Sequence, residues 1–199
     1  DAPLVLSWSG AHLPGKALPL LLSALSTLSS GIDWRLEILG DGPCRHRWQM
    51  LAHHLGIQPR CRWHGWQTRS AALDLMRASH LFVITSLKDL TATVSLEALS
   101  LGVPVICLDH CGFADLVTPD CGIKIPLGSA RQIARGLAAA ITALWTSEPR
   151  RRRLSIGALA RSKQYSWSAK LNQLDRIYIA AVAKHPHKRQ LNAFRRPEI

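Results

Sequence analysis

Short apolar runs alternate with helix-length amphipathic segments along the first two-thirds of the chain, and this alternation restricts the fold more than any other feature. The runs are "LVLSWS" (4–9), "WRLEILG" (34–40), "RCRWHG" (60–65), "HLFVIT" (80–85), "PVICLD" (104–109) and "GIKIP" (122–126). Between them the spacing predicts helices over 16–30, 47–56, 70–79 and 94–102. In the first, Leu18, Leu21, Leu22, Leu25 and Leu28 recur at three-to-four spacing, and Pro19 is tolerated because it falls in the first turn. Gly56 and Gly102 stop the second and fourth. From Ser129 the pattern is helical, over 129–145, 148–165 and 167–182. Nearly continuous apolar strands joined by helices predict an α/β fold, a parallel sheet with helices on both faces. Such sheets bind ligands at the carboxyl ends of their strands. That directs attention to the loops 10–16, 40–43, 65–70, 86–94 and 109–113.

Composition narrows the partners. The 199 residues include 25 Lys+Arg against 13 Asp+Glu, a net charge of +12. The charge favours polyanions: nucleic acid, anionic lipid or phosphorylated small molecules. Among the seven tryptophans no stacking array or recognition-helix motif emerges, so no nucleic-acid partner is expected. The runs 150–153 and 184–196 suit a solvated face and a mobile tail, or peripheral contact with an anionic membrane. No apolar run approaches the ~20 residues that span a bilayer. Five scattered cysteines, Cys44, Cys61, Cys107, Cys111 and Cys121, suggest reduced thiols and a cytoplasmic setting. Cys107, His110 and Cys111 lack the paired spacing of a zinc site, and no metal is expected. A strand that begins almost at residue 1 suggests a domain cut from something longer.

The loops carry the chemistry. Lys16 is expected at the mouth of a helix, where free N–H groups and a lysine together attract phosphate. The loop is no Walker motif, because Ala17 follows the lysine. In "TSLKDLTATVSLEALSLGVPVICLD" (85–109) two carboxylates, Asp89 and Glu97, have seven residues between them and no other charge. Thr91, Ala92 and Thr93 fall where a helix start would meet an anion. Two acids suit a glycoside hydrolase pair, but flanking an anion-binding helix start they better suit the two ends of a phosphorylated sugar. Carboxylates accept paired hydrogen bonds from sugar hydroxyls.

This stretch resembles the motif of retaining glycosyltransferases of family 4, group 1 enzymes with the GT-B fold, whose pattern reads S-L-x-E-G-F-G-x-x-x-x-E-A and then G-x-P-V-I-A-x-D. "LSWSGAHLPGKALPLLLSAL" resembles V-G-R-L-x-P-x-K-G-x-x-x-L-L-x-A, "LEILGDGP" L-x-I-x-G-x-G-P, "RCRWHGW" R-V-x-F-x-G-x, and "YSW" the closing F-S-W, so the likeness covers about residues 4–167. It implies a Rossmann-like parallel sheet, one half of a GT-B fold, that binds a UDP- or GDP-linked sugar donor. Lys16 would stabilise the departing diphosphate in place of a metal ion, Asp89 would hold the donor sugar's hydroxyls and Glu97 the ribose. The backbone from Leu90 through Thr91, Ala92 and Thr93 would meet the sugar and β-phosphate. Gly10, Gly40 and the segment at Trp66 would complete the donor pocket.

The implied reaction is sugar transfer, with retention, to an acceptor in polysaccharide, lipopolysaccharide or glycolipid synthesis. The setting would be cytoplasmic, peripheral at the inner face of the plasma membrane. The expected organisation is a donor domain at 1–146, helices packing on it at 147–183, and a mobile basic tail at 184–199. An acceptor-binding amino-terminal domain would lie outside this chain, leaving the isolated domain inactive. Departures from the pattern are Ala11 for arginine, Asp89 for glutamate and Leu90-Thr91-Ala92 for G-F-G. They keep open the alternative of an inactive domain that binds a nucleotide-sugar.

Overall fold

The computed structural model describes residues 2–89 and 93–184. These fall into two compact units, one ending at Ser162 and the other starting at Lys163. The first contains β1 (Leu4–Ser9), β2 (Trp34–Leu39), β3 (Cys61–Gly65), β4 (Leu81–Ile84), β5 (Val105–Leu108) and β6 (Gly122–Ile125). All neighbours pair in parallel, in the order β3-β2-β1-β4-β5-β6. This is the parallel α/β sheet that the alternation predicts, and the Rossmann-like sheet that the resemblance implies. β4 and β5 are buried at every position, as strands covered on both faces must be.

The intervening helices are α1 (Leu18–Ser26), α2 (Arg45–His54), α3 (Arg69–Arg77), α4 (Thr93–Ser100), α5 (Cys111–Leu116), α6 (Ala130–Trp145) and α7 (Glu148–Lys163). α1 touches α2 and α6, while α4 touches α3 and α5. With right-handed crossovers, the reversal of winding between β1 and β4 puts these two groups on opposite faces of the sheet. Leu6 and Trp8 lie beside Leu36 and Ile38 in the register of β1 and β2. They share one core with Leu18, Leu21, Leu22 and Leu25 of α1 and Ile133, Leu137, Ile141 and Leu144 of α6. Full burial of each such side chain stabilises the fold by roughly 1.5–3 kcal/mol. α6 starts at a capping box, Ser129 Oγ accepting from Gln132 N–H while the Gln132 side chain accepts from Ser129 N–H.

Glu37 of β2 points the other way and is only 4 % exposed. Arg35 Nε reaches its Oε1 at 2.5 Å and His64 Nε2 its Oε2 at 2.6 Å, so this buried carboxylate is paired on both oxygens. α7 lies close enough to residue 120 that a Cβ on Gly157 would sit 1.9 Å from Asp120 O. The second unit contains α8 (Trp167–Lys184), which carries no buried residue. Among the described residues no helix is long and apolar enough to cross a membrane.

Three local expectations change. Lys16 does not open a helix: it closes a 3₁₀ turn, Pro14–Lys16, and Ala17 at φ 47° reverses the chain before α1. α1 stops at Ser26 rather than near residue 30, because the Thr27 N–H and hydroxyl both turn back onto Ala24 O. The loop expected at 109–113 instead enters α5 at Cys111, at φ 54°. Apart from Lys184, the expected tail at 184–199 lies outside the described residues.

Candidate functional site

β1 and β4 are adjacent, yet the chain leaves them toward opposite faces of the sheet. A crevice at such a reversal, at the carboxyl ends of the strands, is where doubly wound sheets bind ligands. Three hydrogen bonds stitch its two sides together. Trp8 Nε1 donates to Thr85 Oγ1 at 3.1 Å, and Thr85 Oγ1 donates to Lys16 O at 2.8 Å. Leu87 N–H donates to Gly15 O at 2.8 Å. Fixed in this way, the Lys16 stem lies over Gly10, and its Nζ meets Asp89 Oδ2 at 2.6 Å. The Asp89 side chain is 14 % exposed and that of Lys16 27 %, so the pair is partly shielded from water. A cation and a carboxylate from loops 73 residues apart thus share one point in the crevice.

The floor of the crevice is backbone. Gly40 has φ 106°, donates to Gly65 O at 2.8 Å, and would place a Cβ 2.1 Å from Gly10 O. A side chain there would part the first two loops. Asp41 accepts from Gly42 N–H at 2.7 Å and from Arg45 Nη1 at 2.5 Å. These two donors hold its carboxyl below the ordinary range, the backbone N–H contributing most. Its carbonyl accepts from His12 N–H, and His12 O accepts from Cys44 N–H.

His12 is fully buried, with its ring against those of Trp8, Trp48 and Trp63 at 5.7, 5.1 and 5.7 Å. Neither ring nitrogen has a hydrogen-bond partner among the described residues. Burial pushes its pKa down, Asp41 pulling it back and Arg45 lowering it further. The resemblance quoted above puts a leucine at this position, and the polar atoms of His12 have nothing in its place.

On the other side, Gly65 at φ 69° leads to Trp66, which is 70 % exposed, and Thr68 caps α3 by accepting from Ala71 N–H. Arg69, the first residue of α3, reaches Glu97 of α4: Nη2 at 3.1 Å and Nε at 3.3 Å, both to Oε1. Thr93 is the first residue of α4 and is exposed. Leu90, Thr91 and Ala92 lie outside the described residues. Gly10, Lys16, Gly40 and Asp89 therefore gather at the crevice, Trp66 and Glu97 belong to the adjoining α3–α4 side, and Arg69, His12 and Thr85 were not anticipated. Only His12 left a signal in the sequence, as a polar residue at an apolar motif position.

Elsewhere, Lys124 Nζ lies 3.1 Å from Asp109 Oδ1. A cavity of about 720 Å³ opens at the amino edge of the sheet, lined by Arg77, His80, Arg151 and Arg152 among others. Its cations are employed structurally: Arg77 with Asp74, Arg152 with Glu148, and Arg151 on the last carbonyls of α6. Among the described residues no three His, Cys, Asp or Glu side chains are grouped to hold a metal ion.

The family model described as glycosyl transferases group 1 matches residues 2–160. A lipopolysaccharide 1,6-galactosyltransferase of Escherichia coli (strain K12) is 36% identical over 109 residues, 53% of this chain and 30% of that protein. The lipopolysaccharide core biosynthesis glycosyltransferase LpsD of Rhizobium meliloti (strain 1021) is 30% identical over 155 residues, 74% of this chain and 41% of that protein. The chain thus spans less than half the length of these relatives. Among solved structures, Anabaena Alr3699/HepE in complex with UDP superposes at a TM-score of 0.77 and 20% identity, covering 90% of this chain and 49% of that one.

Proposed function

The chain belongs to the glycosyl transferases group 1, and we propose that it is the donor-binding half of a retaining, family 4 enzyme of the GT-B fold. The observation that carries this reading is the Lys16–Asp89 pair at the reversal of the sheet. A cation and a carboxylate side by side match the two chemistries of a nucleotide-sugar, an anionic diphosphate next to a polyhydroxyl ring. The UDP named with HepE supports a nucleotide ligand for this fold, and the lipopolysaccharide transferases among the relatives support a saccharide or lipid-linked acceptor.

In this reading the donor's diphosphate takes Lys16 from Asp89. Lys16 then stabilises the charge that develops as the glycosidic bond breaks. Asp89, released, accepts hydrogen bonds from the sugar hydroxyls. The backbone of 90–93 meets the sugar and β-phosphate, Glu97 takes the ribose, and the backbone near Trp66 lines the base. Gly10 and Gly40 let the backbone approach the ligand closely. No metal is invoked, since Lys16 occupies its electrostatic role.

The acceptor site belongs to a further domain, so this chain binds nucleotide weakly and transfers nothing alone. The division into a donor domain at 1–146, helices at 147–183 and a tail at 184–199 belongs to the same proposal. So does a cytoplasmic location with the basic run 150–153 touching anionic lipid, and so does the absence of a nucleic-acid partner. A second reading, a domain that binds the donor without catalysis, is favoured by Ala11, which leaves the diphosphate one cation short of the family pattern.

Calorimetric titration with UDP and GDP tests the donor site. Saturable binding of one nucleotide is expected, and Lys16→Ala should weaken it by about tenfold or more, the loss of a charged hydrogen bond. A folded chain that binds neither, or a Lys16→Ala variant that binds as well as its parent, would refute the reading. Turnover of a nucleotide-sugar by this chain alone would refute the division of labour. Transfer by the chain joined to its amino-terminal half separates the two readings.

A further inference from the structure

We infer that Arg69 is a positioning residue for the donor nucleoside: it fixes the Glu97 carboxylate in the orientation that receives the ribose diol. The inference rests on the donor reading of Glu97 and adds a residue that the motifs do not mark. Both donating atoms of Arg69 converge on a single oxygen, Oε1, at 3.1 and 3.3 Å. Oε2 has no hydrogen-bond partner among the described residues, so the carboxylate is half used and half offered. Two guanidinium nitrogens on one oxygen pin that oxygen, and with the side chain anchored at its own Cα this narrows the rotamers open to the carboxylate and leaves the second oxygen facing the ligand.

Stability does not explain the pair. Arg69 is 79 % exposed and Glu97 27 %, and ion pairs this open contribute little to folding. The backbone that carries Arg69 is fixed by local structure. Arg69 is the first residue of α3, set by the Thr68 cap, and α3 packs against the helix that carries Glu97. Its neighbours at 65–68 form the loop at the carboxyl end of β3, which the donor reading places at the base. A ligand bridging base loop and ribose carboxylate would therefore pass the guanidinium. A glutamate held in one rotamer before binding loses less freedom on binding, which appears as affinity.

The test is titration of the chain with UDP and GDP, each beside its 2′,3′-dideoxy form, for Arg69→Ala, Arg69→Lys, Glu97→Ala and the double variant. The melting temperature of each variant confirms the fold. Arg69→Ala should weaken binding of the preferred nucleotide about three- to tenfold, as expected for freeing one side chain, and leave its dideoxy form unaffected. The double variant should bind like Glu97→Ala, and Arg69→Lys should recover part of the loss. An equal loss on both forms would mean that Arg69 touches phosphate or base itself, and would overturn the inference. So would a loss additive with that of Glu97→Ala. If the parent binds neither nucleotide, or Glu97→Ala binds both forms unchanged, the donor reading of the site fails first, and the role of Arg69 falls with it.

Discussion

Replacing His12 by leucine should stabilise the protein. The imidazole is fully buried, and its donor and acceptor nitrogens are both without a partner among the described residues. An unsatisfied buried polar group costs about 1–3 kcal/mol. Against this stands the loss of ring contacts with Trp8, Trp48 and Trp63, each worth roughly 0.5–1.5 kcal/mol at best. Leucine, of similar volume, restores most of that packing as apolar burial. The expected net gain is about 1 kcal/mol, or roughly 2–4 °C in melting temperature for a chain of this size.

The pH dependence gives a second readout. Burial holds the folded pKa of His12 below its ordinary 6.5. Above pH 6.5 the ring is neutral in both states. As pH falls below 6.5 the unfolded chain takes a proton that the folded chain refuses, so stability is lost until the folded pKa is passed. His12→Leu should remove that share of the acid sensitivity and leave the part due to His80, whose pKa is lowered by burial, Arg151 and Arg35. Urea denaturation at pH 7.5 and 5.5 measures both effects, with an unchanged m-value as the check on the unfolded state. A leucine variant less stable than its parent at pH 7.5, with the same slope against pH, would show that the ring nitrogens are satisfied in solution and refute the argument.

Two further outcomes follow from the packing. Gly40→Ala should cost at least about 3 kcal/mol in the same denaturation experiment, because the new Cβ meets Gly10 O at 2.1 Å with φ at 106°; a loss under 1 kcal/mol would mean that the two loops are not in contact. Alkylation of the native chain at pH 8 should mark the half-buried Cys44 and Cys111 and spare Cys61, Cys107 and Cys121. Burial raises the thiols of Cys61 and Cys107 to about 12, and mass spectrometry that finds native Cys107 modified as fast as Cys44 would contradict this.

The fold was legible because its signals are local. The apolar runs at 81–84 and 105–108 are short and bounded by turn signals, which favours strands buried on both faces, and leucines at three-to-four spacing mark a core-facing helix. The ends were less so. Lys16 reads as the start of a helix because "PGKALP" carries an alanine at 17, where the family pattern has the glycine that a left-handed residue favours; Thr85 and Leu87 hold the turn by donating to the carbonyls of Lys16 and Gly15.

The candidate site divides in the same way. The chain's own order of residues determined which groups are available: a lysine after a glycine loop, two acids around a helix start, and glycines where backbone must pass close. Their partnerships were decided by tertiary structure alone. Strand alternation is compatible with several strand orders, and only the order that makes β1 and β4 neighbours brings Lys16 to Asp89 across 73 residues. Arg69 and Glu97 meet because α3 and α4 lie on the same face after the winding reverses. Periodicity records which side of an element is apolar, a property of neighbours in the chain. Pairing depends on where the sheet places elements that are distant in it, and no local pattern carries that information.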